Sequence, residues 1–145
     1  MRTLAAHRGR LLGACALLAF VGVLPGPSAA ASRQSQVSFR TPSGNISCVL
    51  AARGADASVQ CWMLSAACLN REIGMKVAYA WVLPGLPGGK PKRVCPGDFV
   101  PATTMLGYGS ALHRGNVTCR SLRSGLRCER RGHGFLLSRE RQTTW

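Results

Sequence analysis

The sequence predicts a mainly β protein, a small antiparallel domain stabilised by disulfides and carrying short helical turns. Three observations lead there. Beyond a leader of 31 residues, six cysteines lie in about 114 residues, a length that supports one core and not two. Short runs alternating polar with apolar residues are separated by Gly, Pro, Asn and Ser, the pattern of half-buried strands joined by tight turns. One five-residue phrase also occurs twice, as GNISC at Gly44–Cys48 and as GNVTC at Gly115–Cys119.

The leader is cationic in MRTLAAHRGR and apolar for 14 residues in LLGACALLAFVGVL, and it ends in the breakers and small residues of PGPSAAAS. That order predicts a secretory signal peptide over residues 1–31, cleaved near Ala30 or Ala31. A membrane anchor needs about 20 apolar residues, and this run stops at Pro25-Gly26-Pro27. A lipoprotein signal would set the apolar stretch before Cys15, whereas most of it follows. The expected location is therefore secreted, with no transmembrane segment after cleavage. Cleavage removes Cys15 and leaves Cys48, Cys61, Cys68, Cys95, Cys119 and Cys128. An even count in a small exported chain reads as a disulfide framework, because the compartment is oxidising and the core is modest.

Residues 32–36 are expected as a flexible tail and residues 37–141 as the single β-rich domain. Val37 and Phe39 alternate with polar neighbours in VSFRT, and PSGN supplies a reversal at Pro42–Asn45. In ISCVL, Ile46, Cys48 and Leu50 share a strand face, as do Val59, Cys61 and Met63 in VQCWM. Setting Cys48 opposite Cys61 on antiparallel strands pairs Ile46 with Met63 and Leu50 with Val59, so every inward pair is apolar. A slip of one residue would destroy the match. AARGADAS is read as the loop between these strands. AACLNREIG is expected to form a short helical turn. MKVAYAWVL, apolar on both faces, is expected as a central strand covered on both sides.

PGLPGGKPKRVCPGD is read as the longest irregular loop, tied down by Cys95, for which Cys68 is the remaining partner. The second phrase repeats the hairpin device: NVTCRS and LRCER flank the turn RSG and set Cys119 against Cys128, although the same register opposes Val117 with Arg130. Each phrase therefore reads as the opening strand of a cystine-pinned hairpin, through duplication or through convergent hairpin grammar. Asn45 and Asn116 also fit the glycosylation acceptor pattern, but an asparagine after glycine is equally a turn residue. A last strand is expected around Phe135–Leu137, with residues 142–145 frayed.

Charge bounds the function. The 19 Lys and Arg less Arg2, Arg8 and Arg10 leave 16 against five acids, a net of about +11 after cleavage. Such a balance favours anionic surfaces. Zinc sites want closely spaced cysteine pairs, and the nearest pair here, Cys61 and Cys68, has six residues between its members; no metal and no cofactor are expected. Helix-turn-helix, finger and aromatic-stacking motifs are not visible, so specific nucleic-acid recognition is not expected.

The segments FRTPSGNISC, LGYG at Leu106–Gly109, CRSLRSGLRC and GHGFLLSRER occur in that order. Together they resemble a family of small exported proteins of unknown function, found mainly in actinobacteria. The resemblance spans roughly Phe39 to Arg141 and is strongest after Leu106. It implies export and a small β-rich domain, with no activity to carry over. The family places Asn or Asp before Gly-His-Gly-Phe, where this chain has Glu129, Arg130 and Arg131.

The function expected is a non-catalytic module that binds an anionic envelope or extracellular partner. Lys90, Lys92 and Arg93 of the Pro/Gly loop, with Arg120, Arg123, Arg127, Arg130 and Arg131 of the second hairpin, are its candidate contacts. One alternative is a ribonuclease-like phosphodiester hydrolase with His113 and His133 as acid and base. Another is a proteinase inhibitor presenting a rigid loop near Cys95.

Overall fold

Alternating apolar residues make strands, and here they make more strand than the pattern alone announces. The computed structural model describes residues 34–145 except Pro87; the leader expected over 1–31 lies outside the described residues. Strands β1 (Gln34–Arg40), β2 (Ile46–Arg53), β3 (Asp56–Asn70), β4 (Met75–Leu83) and β5 (Lys92–Val94) form one antiparallel sheet in chain order. Strands β6 (Ala111–Arg114), β7 (Val117–Leu122), β8 (Gly125–Arg130), β9 (His133–Leu137) and β10 (Gln142–Thr144) form a second, likewise in chain order.

The two sheets face each other across one core. Phe39, Cys48, Leu50, Val59, Cys61, Met63, Trp81 and Leu83 of the first sheet pack with Val117, Cys119, Leu126, Cys128, Phe135 and Leu137 of the second. Each of the larger aliphatic and aromatic side chains contributes about 1.5–3 kcal/mol on leaving water. Disulfides join Cys48 to Cys61, Cys68 to Cys95 and Cys119 to Cys128. The β2–β3 register sets Ile46 against Met63, Cys48 against Cys61 and Leu50 against Val59, as the apolar matching requires. Each sheet is a five-stranded meander whose second and third strands are joined by a cystine. One inward row reads Phe39, Cys48, Cys61, Trp81 across the first sheet, and the corresponding row reads Leu112, Cys119, Cys128, Phe135 across the second.

Several expectations are corrected. The described residues contain no helix, not even a helical turn. AACLNREIG instead continues β3 through Asn70 and turns at Arg71–Gly74, with Ala67 paired to Ala78 and Asn70 to Met75. A helix this short does not repay its nucleation, whereas the ladder to β4, the Cys68–Cys95 bridge and a side-chain cap all act on the extended form. Asn70 Oδ1 accepts from the backbone N–H of Glu72 and Ile73 at 2.9 and 3.2 Å. AARGADAS is mostly strand as well, reduced to a turn at Gly54–Ala55 with Gly54 at φ +61°. The Pro/Gly loop contains β5, paired with Ala80–Val82. At the ends, Gln34–Gln36 pair with Ala51–Arg53, and Gln142–Thr144 pair with Phe135–Leu137, so the described part of the expected tail and most of the expected frayed terminus are ladder members, residues 32 and 33 lying outside the described residues.

The connection between the sheets crosses the outer face of the first. Trp62, 2% exposed, donates its indole N–H to the carbonyl of Asp98 at 2.8 Å and meets Phe99 edge-on with centroids 6.0 Å apart. Ser47 donates to the carbonyl of Val100 at 2.9 Å. The chain then runs beside β1, where Arg40 N–H donates to Thr104 and Leu106 N–H to Arg40, both at 2.9 Å. This strap packs on the outer face of β2 and β3 at Ser47 and Trp62.

Candidate functional site

The repeated phrase positions more than its cysteines. Asn45, 7% exposed, accepts from Ser65 N–H at 3.0 Å through Oδ1 and from Leu64 N–H at 2.8 Å through its carbonyl. Those bonds hold the bulge between Met63 and Ala67, where β3 loses register with β4. Asn116 Oδ1 accepts from Ala57 N–H, and Asn116 Nδ2 donates to Asp56, both at 3.1 Å. In each copy the asparagine fastens its turn to β3, the structural part of the turn reading.

The expected cationic residues do not form one patch. Lys90, Lys92 and Arg93 are exposed at the β5 edge of the first sheet, with the Arg93 guanidinium 4.5 Å from the Tyr79 ring centroid. Arg120 and Arg127 are register partners on the outer face of the second sheet. Arg127 is already engaged, 2.7 Å from Glu129 and 4.5 Å from the centre of the Trp145 ring. Arg131, at φ +47°, and Gly132, at φ +83°, make the β8–β9 turn, and both central residues with positive φ give the twist a two-residue hairpin needs.

Arg130 is corrected outright as a surface contact. It is 2% exposed and donates from Nη2 to the carbonyl of Gly89 at 3.1 Å, while its buried Nη1 has no partner among the described residues. The charge that opposes Val117 in register therefore points into the protein.

The two histidines are not an acid–base pair. His113 shares a register row with Thr118, Glu129 and Gly134 and bonds Thr118 Oγ1 at 2.9 Å. His133 is paired with the inward Arg130, and its buried Nδ1 has no partner among the described residues. Neighbouring rows of a pleated sheet project to opposite faces, so the two rings lie on opposite sides of the second sheet. The loop at Cys95 is held flat against its own sheet, with Cys95 C=O accepting from Asn70 Nδ2 at 3.0 Å.

The feature that sequence reasoning missed is a cleft of about 360 Å³ at the end of the sandwich formed by the turns after β1, β7 and β9. Its fourteen lining residues all come from four segments: Thr41, Ser43, Asn45 and Ile46; Tyr108; Leu122–Leu126; and Leu137–Glu140. These fall in the FRTPSGNISC, LGYG, CRSLRSGLRC and GHGFLLSRER segments. Gly125 makes the floor possible: at φ +137° it lies so close to the carbonyl of Leu137 that a Cβ would overlap it. Ser138 builds one wall, since its hydroxyl accepts from Arg141 N–H at 3.0 Å and its N–H donates to Arg141 C=O at 2.7 Å. Arg139 and Glu140 are the central residues of that turn and are exposed. Across the cleft, the Arg123 guanidinium lies 5.5 Å from the Tyr108 ring centroid, and Tyr108 is 46% exposed. Opposite Leu126 in register is Ser121, whose fully buried hydroxyl has no partner among the described residues.

Two guanidiniums, one carboxylate, one aromatic ring and several hydroxyls thus converge on a water-accessible cleft. Such a set can offer charge and hydrogen bonds to a ligand. The molecule is a disulfide-stapled two-sheet β protein with an arginine-flanked cleft at one end. Compared with family models, with curated proteins and with solved structures, the chain gives no match.

Proposed function

We propose that the protein is a secreted, non-catalytic module that binds an anionic partner in the envelope or extracellular space. One observation carries the reading. The described residues form a single ion pair, Arg127–Glu129, while Lys90, Lys92, Arg93, Arg120, Arg123, Arg131 and Arg139 are exposed. Cations that no internal carboxylate engages remain available to external anions, and guanidiniums favour bidentate carboxylate or phosphate contacts. Membership in the exported family that the four motifs resemble is part of the same reading. Those motifs, scattered over the chain, also supply every residue of the cleft.

The test is retention of the protein, without its leader, on immobilised anionic wall polymer across a salt series. Retention should fall steeply between low and near-physiological salt, because the Debye length shrinks from about 30 Å at 0.01 M to about 8 Å at 0.15 M. Retention indifferent to salt, or none at low salt, refutes the reading.

A further inference from the structure

Resting on the reading above and narrowing it, we infer that the cleft binds an acidic sugar residue, a pyranose ring bearing a carboxylate, within an anionic glycan. Charge alone does not select this ligand, because Glu140 stands in the lining beside Arg139. A carboxylate among the contacts repels a bare anion but accepts hydrogen bonds from sugar hydroxyls. Arg123 and Arg139 supply the complementary part, each a planar fork suited to a carboxylate.

The neutral lining matches the rest of a sugar. Tyr108 offers an exposed ring, and the C–H face of a pyranose packs on such a surface as other apolar faces do. The buried Thr41 hydroxyl is taken up by Ser43 and the backbone of Ile46, which leaves the exposed hydroxyls of Ser43 and Ser124 on the cleft. These groups donate and accept at once, as a polyol requires. The volume of about 360 Å³ falls at the lower end of small-ligand sites, roughly 300–1,000 Å³, which fits one or two rings of a chain passing through an open cleft.

The walls are also pre-ordered. Gly125 fixes the floor against Leu137, the Ser138–Arg141 turn is closed by three bonds, and Asn45 ties the remaining wall to the β3 bulge. Ligand binding to such walls forfeits little conformational freedom.

The experiment is calorimetric titration of the protein without its leader, using four probes: oligogalacturonate, its neutral methyl ester, poly(glycerol phosphate), which is anionic without a ring, and dextran sulfate, which has rings without carboxylates. Oligogalacturonate should bind tightest. Arg139→Ala, Arg123→Ala and Tyr108→Ala should each weaken it by about tenfold or more, the equivalent of about 1.4 kcal/mol. Arg71→Ala and Lys76→Ala, away from the cleft, should change it less than about twofold. All five side chains are exposed, and circular dichroism melts of each variant verify folding. Equal binding of all three polyanions, with the cleft variants behaving like Lys76→Ala, overturns the site while leaving the general anionic reading intact. Binding of none of the polyanions at low salt overturns both.

Discussion

Arg130 shows how one side chain departs from its residue type. Most arginines in a basic chain are solvated, and this one is buried at the β8–β9 end with a single carbonyl for company. Desolvating a guanidinium costs several kcal/mol, and no carboxylate offsets it here. Replacement by an apolar side chain of similar length should therefore be tolerated. Arg130→Met is expected to leave the urea midpoint unchanged or to raise stability by up to about 2 kcal/mol. A loss of more than about 1 kcal/mol would mean that the bond to Gly89 outweighs the desolvation cost. The burial was legible only as an anomaly, the one poor partner in the second hairpin's register. Alternation placed Arg130 inward, but the Gly89 carbonyl that receives it comes from 41 residues away, and no local pattern announces such a contact.

Between elements, legibility follows the range of the forces involved. The β2–β3 register could be read because four apolar residues and two cysteines match in one alignment and in no neighbouring one. Strands β5 and β10 could not, because KRV and QTT carry no apolar alternation; their neighbours β4 and β9 recruit them through backbone bonds. The β3 extension was hidden for the same reason, since its ladder is built against β4 rather than from helix propensity. The cleft was invisible as a site, although each segment lining it belongs to one of the four motifs read from the sequence. Among the bridges, Cys48–Cys61 and Cys119–Cys128 are fully buried, whereas Cys68 is 9% exposed and Cys95 is more accessible. Mild reductant should therefore open Cys68–Cys95 first. Timed alkylation and peptide mapping should find those two cysteines labelled while the other four are protected, and early labelling of Cys48 or Cys119 would contradict the packing. The buried bridges each restrict the unfolded chain by about 3 kcal/mol, so full reduction should lower the melting temperature far more than this first step does.

Seen whole, the protein is one motif laid down twice: a meander, a cystine between its second and third strands, and an inward row from an apolar residue through two cysteines to an aromatic ring. The sheets differ in length and sequence, yet the shared device explains why the GN-x-x-C phrase recurs. In both copies glycine and asparagine reverse the chain, and the cysteine two positions into the strand reaches the middle of the core.

All three bridges also close within a half. Cys68–Cys95 is confined to the first sheet and its loop, Cys119–Cys128 to the second sheet, and among the described residues the backbone of the strap from Pro96 to Ser110 is the one covalent link between the two. The chain is thus laid out as a split protein. Cutting the strap once should yield two fragments that stay associated through the buried interface and part in denaturant. Mixed afterwards with their sulfurs still oxidised, they should re-form the parental near-ultraviolet circular dichroism. If the cut halves separate in buffer, the strap contributes cohesion as well as continuity.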